Sequence, residues 1–261
     1  MAAAPEEDRE QGRDYVTALA RGLAVMRAFS DQAQRLTLSD VARIVGLPRA
    51  SVRRALFTLQ KLGYVEANER FFLLTPQVLS LAQAYLSSSP VPRVAQNFLE
   101  RVSEQLGQSC SLSILTEHEV IYIARSTRKR IGSLHRDVGT HLPAHCTSMG
   151  RVLLAAISET EREQFLKSAE LTPFTRYTIT DRDALRQAIE RCGKLGHCLV
   201  DQELEIDLRS LAIPIRNASG RVIAAMNVSA RAGTTSKKEM LDSFLPALRE
   251  AASNMRPLLI G

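Results

Sequence analysis

The sequence predicts an α+β protein, with a small helical domain at the amino end and a larger domain of strands and helices after it. Two observations support this prediction. Apolar residues recur at helical spacing through the first part of the chain, whereas short apolar runs typical of strands alternate with capped helices in the second part. A run of serines and prolines at 87–92 separates the two parts and marks the clearest boundary.

Composition and charge limit the number of domains and the kind of partner only in part. A chain of 261 residues with 45% hydrophobic residues can fill one large core or two modest ones. The formal net charge of +6 favours anionic partners without separating nucleic acid from acidic ligands. Residues 1–14 lack the apolar run of a secretory signal and are expected to be a disordered tail, and no later stretch reaches membrane-spanning length. The four cysteines form no CxxC or zinc-finger spacing and are expected to be reduced thiols in a cytoplasm: Cys110, Cys146, Cys192 and Cys198.

Two amphipathic helices open the folded part. The first covers Ala18 to Phe29, where leucine, methionine and phenylalanine repeat at helical spacing. The second is a helix of about ten residues whose amino end carries Thr37 as N-cap and Asp40 three positions later, the pattern of a capping box. Gly46 is expected to end it.

A third helix is predicted to begin at Leu47-Pro48, because proline fits the first turn of a helix. Its apolar residues fall within one arc and predict the buried face: Val52, Ala55, Leu56, Leu59 and Leu62. Ala50, Arg53, Arg54 and Lys61 fall on the opposite side, and no acidic residue interrupts this segment.

A small hairpin follows, in which runs at 64–66 and 70–74 flank a short turn. Two short helices, a tight glycine-containing connection, a basic helix and a hairpin, in this order, are typical of a winged helix-turn-helix that binds duplex DNA. A protein-interaction module whose basic helix binds an acidic partner is the alternative.

The segment 77–92 is predicted to be a linker helix and hinge. Its apolar residues lie on more than one face. A helix of this kind between two domains commonly buries its additional apolar surface against a partner chain. We therefore expect a homodimer or a tetramer built as a dimer of dimers. The predicted domains are residues 15–76 for DNA binding, 77–92 for the linker and 93–261 for the second domain.

The second domain is predicted to be an antiparallel sheet with flanking helices. Strands are expected at 109–116, 120–125, 131–135, 197–201, 210–216 and 222–229. Helices are expected at 93–106 and 148–156, from a capping box at Ser158 and Glu161, from Thr180 with Asp183, and from Ser236 with Glu239.

Long segments of the chain resemble a known family. The amino-terminal part contains YVTALARGLAVMRAFS and LTLSDVARIVGLPRASVRRALFTLQKLGYV, which resemble the winged helix-turn-helix of IclR-type transcriptional regulators. The second part contains LPAHCTSMGRVLLA and CLVDQELEIDLRSLAIPIRNASGRVIAAMNVS, which resemble the two signature stretches of that family's effector-binding domain. ARGLAVMRAF, PRASVRR and TSMGRVLLA are most similar to the Pca and Pob branch, which controls the degradation of protocatechuate, 4-hydroxybenzoate and related aromatics through the β-ketoadipate route.

The resemblance covers about Tyr15 to Ile260 and implies both fold and partners. The second domain is expected to have a GAF/profilin-like sheet. A double-stranded DNA operator and a small aromatic, keto or dicarboxylic acid effector are the implied partners, with no cofactor and no membrane.

The resemblance also places the third helix in the major groove. Arg49, Ser51 and Arg53 are then the candidates for reading base edges, because arginine can bond bidentately to guanine and serine is permissive. Arg54 and, on the hairpin, Arg70 are assigned to phosphates, which need charge without base geometry. A salt bridge is the alternative for Arg54, and a free surface charge is the alternative for Arg70.

An effector pocket is implied where three segments of the family's second domain meet. Ser148 and Met149 begin a helix, at which unpaired backbone N–H groups favour a carboxylate. Ser210 starts one strand, while Asn227 and Ser229 lie on one face of another. Hydroxyl and amide groups on an apolar wall suit a small aromatic or keto acid, although these side chains could instead satisfy only local backbone groups.

Four further positions are also candidates for the pocket. Asp201 matches an acidic position of the family that borders the ligand, with a capped turn or a surface acid as the alternative. Relatives that respond to aromatics tend to carry a basic residue just before the Leu-Pro of the first signature, where this chain has Thr140-His141. Arg136, His141 or His145 could supply the counter-charge of an acidic effector, and no spacing argument selects among them. Each histidine could instead be structural.

An enzyme is the main rival to a regulator. His145-Cys146 with the acids at 201–207 could form a thiol-nucleophile or metal site. Adjacent His and Cys side chains do not by themselves form an activated pair, however, and no HExxH or CxxC spacing is present. The resemblance implies a ligand-responsive DNA-binding regulator of aromatic-compound catabolism. A regulator of a different small organic acid pathway is the alternative, followed by a thiol or metal enzyme.

Overall fold

The computed structural model describes residues 15–30, 33–127 and 137–259. The chain divides into two compact units, one that ends at Ser88 and one that begins at Ser89. Helices and strands occur in both units, which confirms the α+β class. The predicted tail at 1–14 and the predicted strand at 131–135 lie outside the described residues.

The first unit packs three helices against a small sheet. Its elements are α1 (Thr17–Arg27), β1 (Leu36–Thr37), α2 (Leu38–Val45), α3 (Arg49–Lys61), β2 (Val65–Asn68) and β3 (Phe71–Leu74). β3 lies between β1 and β2 and pairs with both in antiparallel fashion. Val25, Val41 and Val52 are fully buried between the helices. This arrangement is the predicted winged helix-turn-helix, with one strand, β1, that was too short to show a periodic pattern.

Local chemistry fixes both ends of α2. The Thr37 hydroxyl accepts a hydrogen bond from the Asp40 N–H at 3.3 Å, and the Asp40 carboxylate accepts one from the Thr37 N–H at 3.1 Å, which is the predicted capping box. Gly46 ends the helix at φ +65°, a left-handed conformation that suits glycine. In α3 the predicted burial of Leu62 is wrong, because the helix ends one residue earlier and the side chain is 60% exposed.

The linker region consists of two helices with a very short break between them. A 3₁₀ turn at Pro76–Val78 leads into α4 (Leu79–Ser88), and α5 (Pro90–Leu106) begins after a single residue, Ser89. The predicted start of this helix at Arg93 is therefore too late. Proline fits the first turn of a helix, where its missing N–H needs no partner, so prolines stand at the start of α5.

A six-stranded antiparallel sheet forms the middle of the second unit, in the order β6-β5-β4-β9-β8-β7. Its strands are β4 (Ser109–Thr116), β5 (Glu119–Ser126), β6 (His141–Pro143), β7 (Cys198–Asp201), β8 (Leu208–Arg216) and β9 (Val222–Arg231). The helices after α5 are α6 (Ser148–Leu154), α7 (Glu159–Ser168), α8 (Arg182–Leu195), α9 (Lys237–Glu239) and α10 (Leu245–Met255). The sequence predicted every one of these strands except β6. It also predicted these helices, but with α9 and α10 as one continuous helix.

The two faces of the sheet carry different helices. Leu211 and Ile213 of β8 share a core with α5 and α10, whereas Ala212 between them shares a core with α6, α7 and α8. This alternation follows from the period of two in a strand. The same period in β9 puts Ala225 and Asn227 on the side of α6.

Two helix ends in the second unit differ from the prediction. α8 begins after Asp181, whose carboxylate accepts from the Ala184 N–H at 2.8 Å, so Asp181 rather than Thr180 is the N-cap. The final helix starts at the predicted cap, Ser236, but a π-helical segment at Met240–Phe244 separates α9 from α10. Ser158 caps α7 with the predicted capping box.

Candidate functional site

The basic surface of α3 is not neutralised by acidic neighbours. Arg49, Arg53 and Arg54 are exposed, and Ser51 is half-buried. Among the residues that the structure describes, no carboxylate lies within salt-bridge distance of these three arginines. The alternative of an ion pair for Arg54 is thus not realised there. The surface is able to offer charged donors to phosphates and base edges.

The four predicted DNA-binding residues of α3 lie on two sides of the helix. Ser51 and Arg54 line an apolar groove of about 780 Å³ between α3 and α1. Arg53 is rotated by about 100° from Arg54 around the helix axis. Arg49 precedes Arg53 by four residues and therefore lies on the same face as Arg53. The structure thus brings Arg49 and Arg53 together and sets Ser51 and Arg54 apart from them.

The hairpin places two arginines on one aromatic ring. The guanidinium carbon of Arg70 lies 5.1 Å from the ring centre of Phe71, and that of Arg35 lies 4.9 Å from the same point. Both arginines are exposed. The sequence reasoning found Arg70 but missed Arg35, because Arg35 reaches the wing through the pairing of β1 with β3, two strands that are far apart in sequence.

A small cavity lies between the amino end of α6 and the sheet. Its lining comprises Cys146, Thr147, Ser148, Met149, Val200, Leu204, Leu208, Ser210, Asn227 and Ser229. The structure thereby brings together all five of the residues assigned to the pocket on α6, β8 and β9. The sequence reasoning missed the apolar wall, although Val200 pairs directly with Ser210. The space left for the centre of a water molecule is about 20 Å³, enough for about one water.

Four polar side chains cross this cavity in one hydrogen-bonded chain. The hydroxyl oxygens of Ser148 and Ser210 are 2.6 Å apart. The Asn227 amide donates to the Ser210 hydroxyl at 2.9 Å and to the Ser229 hydroxyl at 3.2 Å. These side chains therefore contact one another across three elements, rather than satisfying only local backbone groups.

One acceptor in this chain lacks a partner. The Asn227 carbonyl oxygen Oδ1 is buried and has no hydrogen bond with any residue that the structure describes. Burying an acceptor without a partner costs about 1–3 kcal/mol, so its presence in an apolar cavity suits a ligand that donates a hydrogen bond. The Ser113 hydroxyl, which does not line the cavity, donates to the Met149 sulfur at 3.1 Å and orients that side chain of the cavity wall.

A buried ion pair supports the cavity wall. Arg151 of α6 donates through both terminal nitrogens to the Glu203 carboxylate, with one contact of 2.7 Å, and its Nε donates to the His145 carbonyl at 2.8 Å. Arg151 lies one turn after Ser148, and Glu203 is next to Leu204. The pair therefore holds the helical and the apolar walls of the cavity against each other.

Asp201 does not line the cavity. It follows Val200 in β7, so its side chain points to the other face of the sheet. Its carboxylate accepts from Arg209 at 2.9 Å and from Lys237 at 2.8 Å. Burial acts to raise the pKa of Asp201, but these two hydrogen bonds outweigh burial and hold the pKa below its ordinary value. The placement of Asp201 at the pocket is corrected accordingly.

Neither predicted histidine supplies a counter-charge at the cavity. His141 is exposed and lies 2.8 Å from the Glu119 carboxylate. His145 is buried, with Nε2 3.2 Å from the Thr172 carbonyl oxygen. Burial lowers the pKa of His145 below its ordinary value, so its ring is neutral at pH 7. Arg136 lies outside the described residues.

The thiol at the cavity is not activated for catalysis. Burial raises the pKa of Cys146 to about 12, so the thiol stays protonated at pH 7. Within the described ranges, no group of three or more His, Cys, Asp or Glu side chains is arranged to hold a metal ion. The protonated thiol argues against a thiol nucleophile at His145-Cys146. A helix with the length and apolarity to cross a membrane is not found in the described part of the chain.

Comparisons with known proteins match both units. The family described as "IclR helix-turn-helix domain" matches residues 18–69, and the family described as "Bacterial transcriptional regulator IclR C-terminal" matches residues 83–256. The Pca regulon regulatory protein of Pseudomonas putida is 44% identical over 249 residues, which cover 95% of this chain and 86% of that protein.

Two solved structures are also similar. A putative transcriptional regulator of Rhodococcus sp. RHA1 is 46% identical with a TM-score of 0.80, covering 94% of this chain and 98% of that one. The inducer-binding domain of the PobR transcription factor from Acinetobacter, a double mutant in complex with 3-hydroxybenzoic acid, is 33% identical with a TM-score of 0.61, covering 64% of this chain and 98% of that one. These matches confirm the resemblance to the Pca and Pob branch and make the first unit a DNA-binding domain. The chain belongs to the IclR family of bacterial transcriptional regulators.

Proposed function

We propose that this chain is a cytoplasmic, ligand-responsive regulator that binds a double-stranded DNA operator and controls genes of aromatic-compound catabolism. The observation that carries the proposal is the polar chain from Ser148 to Ser229 inside an otherwise apolar cavity. Apolar walls with a few convergent polar groups suit a small hydroxylated aromatic acid. The relative named for the Pca regulon and the PobR domain with its 3-hydroxybenzoic acid support this ligand class. A regulator that responds to a different small organic acid is the alternative.

The geometry suggests how such an acid would be held. Its ring would pack on the apolar side chains at 200–208, and its hydroxyl would donate to the unpaired Oδ1 of Asn227. Entry requires the cavity to widen, because it holds about one water. The contact between Ser148 and Ser210 crosses the cavity, and a ligand carboxylate can take the place of either hydroxyl in that contact.

Replacing Asn227 by leucine tests this orientation. The change removes the free acceptor and nearly preserves volume, so the affinity for 4-hydroxybenzoate should fall by about tenfold or more. The affinity for benzoate, which has no hydroxyl to donate, should fall less. Isothermal titration calorimetry on the full chain measures both.

The matched control for this test is Asn97→Leu, on an exposed position of α5. It should leave both affinities unchanged. Equal losses for the two acids in Asn227→Leu would contradict the hydroxyl contact. A thermal-shift screen with protocatechuate, 4-hydroxybenzoate, muconate and β-ketoadipate separates the aromatic proposal from its alternative, since a shift with only a non-aromatic acid would support the latter.

For the DNA side we propose that α3 enters the major groove, with Arg49, Ser51 and Arg53 at base edges and with Arg54 and Arg70 at phosphates. Four of these five side chains are exposed, and Ser51 is half-buried. The shared face of Arg49 and Arg53 supports the base-reading role for that pair. The position of Arg54 on the other flank supports a role at the backbone of the duplex. Ser51 shares that flank, so the base contact proposed for Ser51 is supported by the family resemblance alone.

Replacing Arg53 by alanine should weaken operator binding by about 1–3 kcal/mol and relax the base preference at one position. Arg54→Ala should instead weaken binding to all sequences about equally and reduce its dependence on salt. Gel-shift titrations with competitor DNA at two salt concentrations distinguish the base-reading role from the phosphate-binding role. Arg101→Ala, on an exposed position of α5, is the control. Unchanged affinity and preference in Arg53→Ala would rule out the groove assignment.

A homodimer, or a tetramer of two dimers, is the proposed assembly. Leu79, Leu81 and Tyr85 of α4 expose 66%, 50% and 42% of their surface. Apolar surface of this extent marks protein interfaces. A two-fold axis would present two α3 helices to two half-sites. Sedimentation of the operator complex counts the chains, and one chain per operator would exclude a dimer.

A further inference from the structure

A serine of β4 faces the same side of the sheet as Asn227. Ser111 is paired directly with Asn227 of β9 in the antiparallel ladder. Residues paired in this way point to the same face, with Cβ atoms about 4.5–5.5 Å apart. Leu112, the next residue, belongs to the core shared with α5 and α10, whereas Ser113 donates to the Met149 sulfur of α6. The period of two in a strand therefore puts Ser111 on the side of α6, like Ser113.

The Ser111 side chain is buried, and its hydroxyl has no hydrogen-bond partner among the residues that the structure describes. Only 3% of the residue is exposed. Two other buried serines of this region, Ser103 and Ser113, do have acceptors for their hydroxyl groups. Most buried polar groups in proteins are paired. An unpaired hydroxyl next to the proposed effector cavity therefore suits a ligand that accepts a hydrogen bond.

The unpaired oxygen of Asn227 lies toward the same strand. β9 lies between β4 and β8 in the sheet. The Asn227 amide nitrogen donates to Ser210 on β8 and to Ser229 of its own strand. Its Oδ1 is therefore on the side of the amide away from Ser210, which is the side of β4. Because Oδ1 has no partner among the described residues, an unused donor on Ser111 and an unused acceptor on Asn227 are neighbours on one face.

We propose that Ser111 and Asn227 together recognise one hydroxyl group of the effector, which makes Ser111 a specificity-determining residue. The inference rests on the proposed function, because it takes the effector to be a small hydroxylated aromatic acid. The ligand oxygen would accept a hydrogen bond from Ser111 and donate its own hydrogen to Asn227 Oδ1. Hydrogen bonds between oxygen atoms are about 2.7 Å long, so one ligand oxygen can join two groups up to about 5.4 Å apart.

Ser111 lies one strand beyond the cavity wall that Asn227 forms and is not part of the lining. The cavity holds about one water and must widen to admit any aromatic acid. Widening toward β4 would bring the ring hydroxyl between the two unpaired groups. The ring itself would still pack on the apolar side chains at 200–208, as proposed above.

Recognition from two sides distinguishes a hydroxyl from other ring substituents. A hydroxyl donates and accepts at the same time. An amino group on the ring is similar in size and can donate to Asn227, but its lone pair is delocalised into the ring and accepts poorly from Ser111. A ring hydrogen forms neither bond. The cavity is therefore expected to bind 4-hydroxybenzoate more tightly than 4-aminobenzoate, and both more tightly than benzoate.

Isothermal titration calorimetry on the full chain with these three acids tests the inference. The unaltered chain should prefer 4-hydroxybenzoate to 4-aminobenzoate by about tenfold, the value of one hydrogen bond. Ser111→Ala should lower the affinity for 4-hydroxybenzoate by about the same factor and leave that for 4-aminobenzoate nearly unchanged. A serine that only supported the fold would weaken the binding of both acids equally.

Ser253→Ala, on an exposed position of α10, is the matched control and should keep both affinities. Equal affinities of the unaltered chain for the hydroxy and amino acids would overturn the inference, and so would a preference that persists in folded Ser111→Ala. In both cases the proposed function stands, because 4-hydroxybenzoate still binds. Binding of none of the three acids would overturn the proposed function and this inference with it. Circular dichroism checks the fold of each variant, and the preference of the unaltered chain needs no variant.

Discussion

Replacing Glu203 by leucine should destabilise the second unit by about 3–5 kcal/mol, because it leaves the Arg151 guanidinium buried without a counter-charge. The side chains of the pair are only 4% and 8% exposed. The chain contains no tryptophan, so urea unfolding is best followed by far-ultraviolet circular dichroism. Because the pair joins two walls of the cavity proposed to bind the effector, the variant should also lose effector binding where it remains folded.

The chain offers a matched control for this variant. Glu163 pairs with Arg186 at 2.8 Å, with about a third of each side chain exposed. Glu163→Leu should therefore cost no more than about 1 kcal/mol. Combining Glu203→Leu with Arg151→Met should recover much of the lost stability, since it removes the uncompensated charge. If Glu203→Leu cost no more than Glu163→Leu, the pair would not hold the cavity walls.

Replacing Gly150 by alanine should cost about 3 kcal/mol or more and abolish effector binding. A Cβ atom at this position would lie 2.2 Å from the Ala144 carbonyl oxygen and 2.4 Å from its Cα. Those atoms belong to the backbone, so the start of α6 or the preceding loop must move. Ser148 and Met149 would move with α6 and leave the cavity wall. Circular dichroism melts and calorimetry with the effector measure the two losses.

Gly193→Ala is the matched control in the same unit. Its added Cβ would meet nothing nearer than the Ala155 Cβ at 3.5 Å, an ordinary contact. Because alanine is favoured over glycine inside a helix by about 1 kcal/mol, this variant should be neutral or slightly more stable. A Gly150→Ala protein that kept the stability and affinity of the control would show that the approach of α6 to Ala144 is not required.

Features that depend only on residues close together in the chain, such as helix caps, were predictable from the sequence. The capping boxes at Thr37 and Ser158 involve residues three positions apart, so their pattern is visible without a fold. Errors arose where distant parts of the chain decide the outcome. The partner of Arg151 is 52 residues away, and no spacing rule points to it. β1 is a strand only because β3 pairs with it.

In the candidate site, too, some residues were predicted from the sequence and others depend on contacts between distant parts of the chain. Ser210, Asn227 and Ser229 were selected by the family resemblance and by the period of two in a strand, and the structure brings them into one cavity. Asp201 was assigned to the same place although Val200, its neighbour, occupies the inward position of β7. Strand register decides which of two adjacent residues faces inward, and register depends on pairing with β8. The free acceptor of Asn227 appears only once all its neighbours are placed.

The stacking of Arg35 and Arg70 on Phe71 has a consequence for how the wing meets DNA. A long arginine side chain that is mobile before binding loses about 0.5–1.5 kcal/mol of conformational freedom when it is immobilised at an interface. Two guanidinium groups already resting on one ring have lost part of that freedom in the unbound protein. For phosphate contacts of the kind proposed for Arg70, the entropic cost of ordering these two side chains would therefore be smaller.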